Sequence, residues 1–135
     1  MSYEELSHTA DVKIRVRAST CDALFGEAFQ ALMYVIYGED RRGGTLRTID
    51  LYAPDRESLL MDFLSETLYI SEVDGLVFFK AEVHLEGKQL HAVLEGEPFD
   101  AVRHAKGTEV KGISYSGMSI QKDAKGYMLD ILFDV

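Results

Sequence analysis

Tryptophan is missing from this chain of 135 residues, and cysteine and proline nearly so, with one and two copies. The single thiol, Cys21, cannot close a disulfide within the chain and offers no ligand set for a thiolate metal cluster. No repeat, linker or low-complexity tract interrupts the sequence, so a single domain over residues 1–135 is expected. Positive charge is also scarce. Fourteen Lys and Arg stand against 23 Asp and Glu, a net charge of −9. Such a surface repels a phosphate backbone and an anionic bilayer, which argues against direct nucleic-acid binding and against a membrane role. It suits divalent cations or a basic protein partner. No stretch approaches the ~20 apolar residues of a membrane span. The start, Met1-Ser2-Tyr3-Glu4-Glu5, has neither a basic nor an apolar run, so no secretory leader is expected and the cytoplasm is the expected location.

What the chain does have is apolar residues, 47% of the total, and clear periodicity. Val12, Ile14 and Val16 alternate with Lys13, Arg15 and Arg17, the period of a half-buried strand. Ser19 and Thr20 can cap a helix whose stripe is Leu24, Phe25, Ala28, Phe29, Leu32, Val35 and Ile36, with Gly38 as the stop. Residues 39–44 read as a loop. Ile49, Leu51 and Ala53 alternate again up to Pro54. Asp55 can cap a second helix with the stripe Leu59, Leu60, Phe63, Leu64 and Leu68, with Tyr69 at its margin, closed by Asp74-Gly75.

The rest is rich in strands. Phe79 to Leu85 and Leu90 to Leu94 flank the turn Glu86-Gly87-Lys88. Residues 99–110 read as an irregular connection. Ile113 to Ile120 and Tyr127 to Phe133 form a last pair around 122–126. The expected class is α+β, a two-layer α/β sandwich. Two helices would pack on one face of a mixed, mostly antiparallel sheet of about six strands.

Three groups of residues have chemistry to offer. Asp11, in His8-Thr9-Ala10-Asp11, stands at a strand entrance, where a carboxylate is either a turn acceptor or aimed at a site. Asp134 and Val135 at the other end concentrate oxygen acceptors of the kind Ca²⁺, Mg²⁺ and Mn²⁺ prefer. If the last strand runs antiparallel to the strand at Val12, Asp11 and Asp134 meet. Arg103, His104 and Lys106, leading to Lys111, Ser114, Tyr115 and Ser116, could hold a phosphate or dock on an acidic partner, or be a solvated loop. Other templates fail. There is no glycine-rich phosphate loop, no His-Glu-x-x-His and no EF-hand, and Gly112-Ile113-Ser114-Tyr115-Ser116 lacks the second glycine of a nucleophile elbow. Cys21 at a helix start reads as a packing residue rather than a nucleophile.

Four segments and the ending, in order, resemble the archease family. They are Tyr3-Glu4-Glu5-Leu6-Ser7-His8-Thr9-Ala10-Asp11, the helix end Leu32-Met33-Tyr34-Val35-Ile36-Tyr37-Gly38, Gly75-Leu76-Val77-Phe78, Val110-Lys111-Gly112-Ile113-Ser114-Tyr115, and Phe133-Asp134-Val135. The resemblance spans essentially the whole chain. It implies a small α/β sandwich that is no enzyme itself but a protein cofactor of the RNA ligase of tRNA splicing. That ligase joins 3′-phosphate or cyclic-phosphate ends to 5′-hydroxyl ends with GTP and Mn²⁺. The cofactor promotes guanylylation of the ligase and its repeated turnover, and the family has also been read as chaperones. The family's metal ligands map onto Asp11, Asp134 and Val135, the last through a carbonyl or carboxylate oxygen, with the ion Ca²⁺, Mg²⁺ or Mn²⁺. His8, His104, Lys111 and Tyr115 are the implied contacts to partner or phosphate. Where the family carries histidine after the tyrosine, this chain has Ser116, so one imidazole of that cluster is missing. The competing expectations are a metal-dependent phosphoester hydrolase using Asp11, Asp134 and His104, and a general chaperone.

Overall fold

Local signals set both helices. In the computed structural model, which describes residues 1–6, 11–114 and 119–135, Thr20 accepts a hydrogen bond from the Ala23 N–H at 3.1 Å and opens α1 (Cys21–Tyr37). Asp55 does the same from Ser58 N–H at 2.7 Å and opens α2 (Arg56–Asp74). Each cap satisfies a backbone donor that the first helical turn leaves without a partner. Gly75, at φ 63° and ψ 37°, ends α2 in the left-handed conformation that suits a residue without Cβ.

The described residues also form eight strands: β1 (Ser2–Leu6), β2 (Asp11–Ala18), β3 (Thr45–Tyr52), β4 (Leu76–Glu86), β5 (Gln89–Pro98), β6 (Gly112–Ser114), β7 (Gln121–Asp123) and β8 (Gly126–Asp134). They form two sheets. One has the order β1-β2-β8-β6, with β7 also paired to β8, and the other has the order β3-β5-β4. Every described pairing is antiparallel.

The α+β class holds, but the expected single sheet of about six strands is corrected to two sheets of five and three strands. Alternation tells which face of a strand is apolar, not which strand lies beside it. After α1 the chain enters β3, which pairs with β5 and not with β2. The expectation also missed β1, which has few apolar residues and lies on the sheet edge, with Tyr3 6.2 Å from the Tyr34 ring. The strand expected from Ile113 to Ile120 is described only over Gly112–Ser114.

One core joins the layers. α1 packs on β2 and β8 of one sheet and on β4 of the other, while α2 packs on β3, β4 and β6. Phe25, Phe29, Phe63, Phe78 and Phe133 are fully buried there. Each is worth roughly 1.5–3 kcal/mol of burial. In β2 and β8 the inward residues are Ile14, Val16, Leu129, Ile131 and Phe133, all buried. The alternate positions, including Arg15 and Asp130, therefore face outward, and these two form a double hydrogen-bonded pair at 2.8 and 3.0 Å.

Candidate functional site

The β2–β8 ladder decides where the two candidate aspartates go. Its register runs from Ala18 opposite Tyr127 to Asp11 opposite Asp134. By the period of two, Asp11 and Asp134 share the outward face with Arg15 and Asp130. Directly opposite residues have Cβ atoms roughly 4.5–5.5 Å apart, so the two carboxyl groups share one patch. The antiparallel meeting of Asp11 with Asp134 anticipated from the sequence is what the register shows.

On the far side of β8, Asp134 pairs with Gly112, and its carbonyl accepts the Lys111 N–H at 2.7 Å. Gly112 adds no side chain, so this flank stays open. A shallow hollow of about 390 Å³ results, lined by Asp11, Gly112, Ile113, Ser114, Leu132 and Asp134. Asp134 is exposed and Asp11 half-buried, and Val135 packs against the edge of the core directly after Asp134. Among the described residues neither carboxylate has an ion-pair partner. Nor do three carboxylate, imidazole or thiol side chains converge on one point among them. The two carboxylates are hard oxygen donors, which suit a hard divalent cation and not a thiophilic one.

The basic cluster has a different fate. Arg103 lays its guanidinium on Glu97, with Nη1 to Oε2 at 2.8 Å and Nη2 to Oε1 at 2.5 Å. His104 is buried, its Nδ1 accepting the Asp100 N–H at 2.8 Å and its Nε2 lying 3.1 Å from Glu97 Oε2. An Nδ1 that accepts must be bare, so Nε2 carries the hydrogen and donates to Glu97. The Arg42 N–H adds a further donor at 2.8 Å. The Arg103 hydrogen bonds above all, helped by the Arg42 N–H and His104, hold the Glu97 carboxyl down at about 2.

Both ring nitrogens of His104 are thus engaged inside the chain, and none is left for a phosphate or a partner, contrary to the expected contact role. Lys106 and Lys111 remain exposed. Lys106 and Arg103 border a cleft of about 530 Å³ together with Glu5, Glu39 and Asp40, so its charged lining is of mixed sign. His8, Tyr115 and Ser116 lie outside the described residues. Glu97 was missed from the sequence. It sits at a strand end before Pro98, where no local pattern marks a carboxylate as the centre of a network. Cys21 is half-buried, and that burial pushes its thiol up, against the weaker opposing pull of Arg56. This is not an activated nucleophile.

Residues 3–135 match the model of the Archease protein family. Protein archease of Methanosarcina acetivorans is 37% identical over 139 residues, covering 98% of this chain and 95% of that protein. Two solved structures share the fold. Protein 1598 of Methanobacterium thermoautotrophicum superposes with a TM-score of 0.81 at 23% identity, over 98% of both chains. A Thermotoga maritima archease, described as a possible chaperone, gives 0.68 at 17% identity, over 98% of this chain and 96% of that one. With a family match over nearly the whole chain and a relative above one third identity, this chain belongs to the archease family.

Proposed function

We propose that this protein is a non-enzymatic activator of the RNA ligase of tRNA splicing, acting through a divalent cation held by Asp11, Asp134 and an oxygen of Val135. The observation that carries this reading is the register of β2 and β8, which sets Asp11 directly opposite Asp134. Like charges so placed repel each other, and among the described residues no Lys or Arg pairs with either. A cation relieves the repulsion, and Ca²⁺, Mg²⁺ and Mn²⁺ all accept carboxylate and carbonyl oxygens. When bound, the ion supplies a compact positive centre on an acidic surface.

The chain's own residues do the positioning. The β-ladder sets the spacing of the two carboxylates, and the Lys111 N–H holds the Asp134 carbonyl. That leaves the Asp134 side chain to face solvent or a partner. Lys111 is exposed beside this patch, and His8 and Tyr115 are the further contacts proposed. The net charge of −9 steers the protein toward a basic protein surface and away from RNA.

Multiple-turnover joining of a 3′-phosphate end to a 5′-hydroxyl end by the ligase, with and without this protein, tests the reading. Guanylylated ligase is followed in the same reactions. Turnover beyond the first round is expected only when the protein is present. Asp11→Asn and Asp134→Asn should fold and fail to stimulate. Equal ligation with and without the protein overturns the proposal. Phosphoester hydrolysis by the protein alone would point to the hydrolase, and suppressed aggregation of unrelated proteins to the chaperone.

A further inference from the structure

The three-stranded sheet carries an unassigned row across its solvent face. Asp50 on β3 stands opposite His91 on β5, and His91 stands opposite His84 on β4. All three are exposed, while their strand neighbours Ile49, Leu90 and Ala92 are buried on the other face. Asp50 Oδ1 lies 2.6 Å from His91 Nδ1. A carboxylate can only accept, so Nδ1 carries the hydrogen and, in the neutral ring, Nε2 presents a bare lone pair. A carboxylate behind an imidazole in this way fixes the ring and raises its basicity as a metal ligand. His84 has no hydrogen-bond partner among the described residues, so its nitrogens are not committed elsewhere in the chain.

The spacing suits a shared ion. Opposite Cβ atoms lie roughly 4.5–5.5 Å apart. Two nitrogens at ~2.0–2.1 Å from one Zn²⁺ lie within about 4 Å of each other, a span that two imidazoles on neighbouring strands can close by rotation. A hollow of about 380 Å³ adjoins them, lined also by Tyr52, Glu86 and Gln89 and by no Lys or Arg. Asp50 and Glu86 give that lining a net negative charge, which favours a cation.

We propose that His84 and His91 form a surface chelate for a borderline divalent transition-metal ion of the Zn²⁺ class, with Asp50 positioning His91. Imidazole suits Zn²⁺, Ni²⁺ and Cu²⁺, whereas the side chains of Asp11 and Asp134 are oxygen donors. The two sites lie on different sheets and differ in donor chemistry, so this proposal does not rest on the ligase reading. Among the described residues no three such side chains converge on one point. The chelate is therefore one of two imidazoles with water on the remaining positions, and it clamps the β4–β5 hairpin.

Calorimetric titration of the full chain with ZnCl₂ and NiCl₂, in buffer free of chelators, tests it alongside NMR of the imidazole rings. One ion per chain is expected, with the His84 and His91 signals moving together. His84→Ala or His91→Ala should weaken binding at least about tenfold, and Asp50→Asn by about 10–100-fold with the stoichiometry kept. Asp11→Asn and Asp134→Asn should leave Zn²⁺ affinity unchanged. All these positions bar the half-buried Asp11 are exposed, and circular dichroism checks that each variant is folded. No ring shift at millimolar Zn²⁺ overturns the proposal. So does an affinity unchanged in the double variant His84→Ala/His91→Ala, or a Zn²⁺ response confined to His8 or His104.

Discussion

Glu97 and the Asp11–Asp134 pair are carboxylates of the same chemistry in opposite circumstances. Glu97, its side chain 12% exposed, is met by the Arg103 fork, the Arg42 N–H and the buried His104. Asp11 and Asp134 face each other across a ladder with no ion-pair partner among the described residues. The first carboxylate is neutralised inside the chain and serves folding, tying the end of β5 to the 100–104 turn. The second pair has no such partner among the described residues, and the proposed cation site rests on that. Residue type and local charge density do not separate the two cases. Pairing does.

Removing the satisfied carboxylate should have the largest effect on stability. Glu97→Ala leaves a part-buried guanidinium and the His104 ring without their shared acceptor. A loss of about 2 kcal/mol in urea unfolding is expected, with Glu97→Gln recovering part of it through its amide oxygen. No loss would place Glu97 with the exposed surface pairs and erase the contrast.

Acid should expose the same difference. The Glu97 carboxyl is held down from 4.5 to about 2. A depressed folded pKa means that its stabilising contribution is complete above the unfolded value and is lost as pH falls from about 4.5 toward 2. Asp130, held low by Arg15, and Asp100, held low by the Val102 and Arg103 N–H groups, act in the same direction. Stability measured across that window should fall less steeply in Glu97→Gln than in the parent chain.

The unsatisfied pair should respond to metal instead. Ca²⁺ or Mn²⁺ at ten times its dissociation constant stabilises a one-site protein by about 1.4 kcal/mol. That gain, read as a rise in melting temperature, should be absent in Asp11→Asn and Asp134→Asn. An extension after Val135 should reduce the gain by less than the loss of either aspartate does. The same extension before Met1 should leave it intact. The smallest effect is expected without metal. There, Asp11→Asn should raise stability by about 0.2–1 kcal/mol through relief of like-charge repulsion, whereas a fall would make the carboxylate structural.

Local physics made the helices legible. Thr20, Asp55 and Gly75 cap or stop them through bonds to residues a few positions away, so the letters suffice. The inward faces of β2 and β8 were legible as well, because alternation needs no partner to be read. Residue chemistry at the two ends drew notice to Asp11, Asp134 and Val135, and the resemblance to the archease family implied their role as ligands. Only the tertiary structure decided that β3 leaves β2 for β5, that β1 closes a sheet edge, and that His104 turns inward onto Glu97 and Asp100. It likewise set His84 and Asp50 on either side of His91. Strand pairing and the partners of buried polar groups join residues far apart in the chain, such as Asp50 with His91 and Asp11 with Asp134. Such contacts are selected by the best total burial and satisfaction of the whole fold, a quantity that no local stretch of sequence contains.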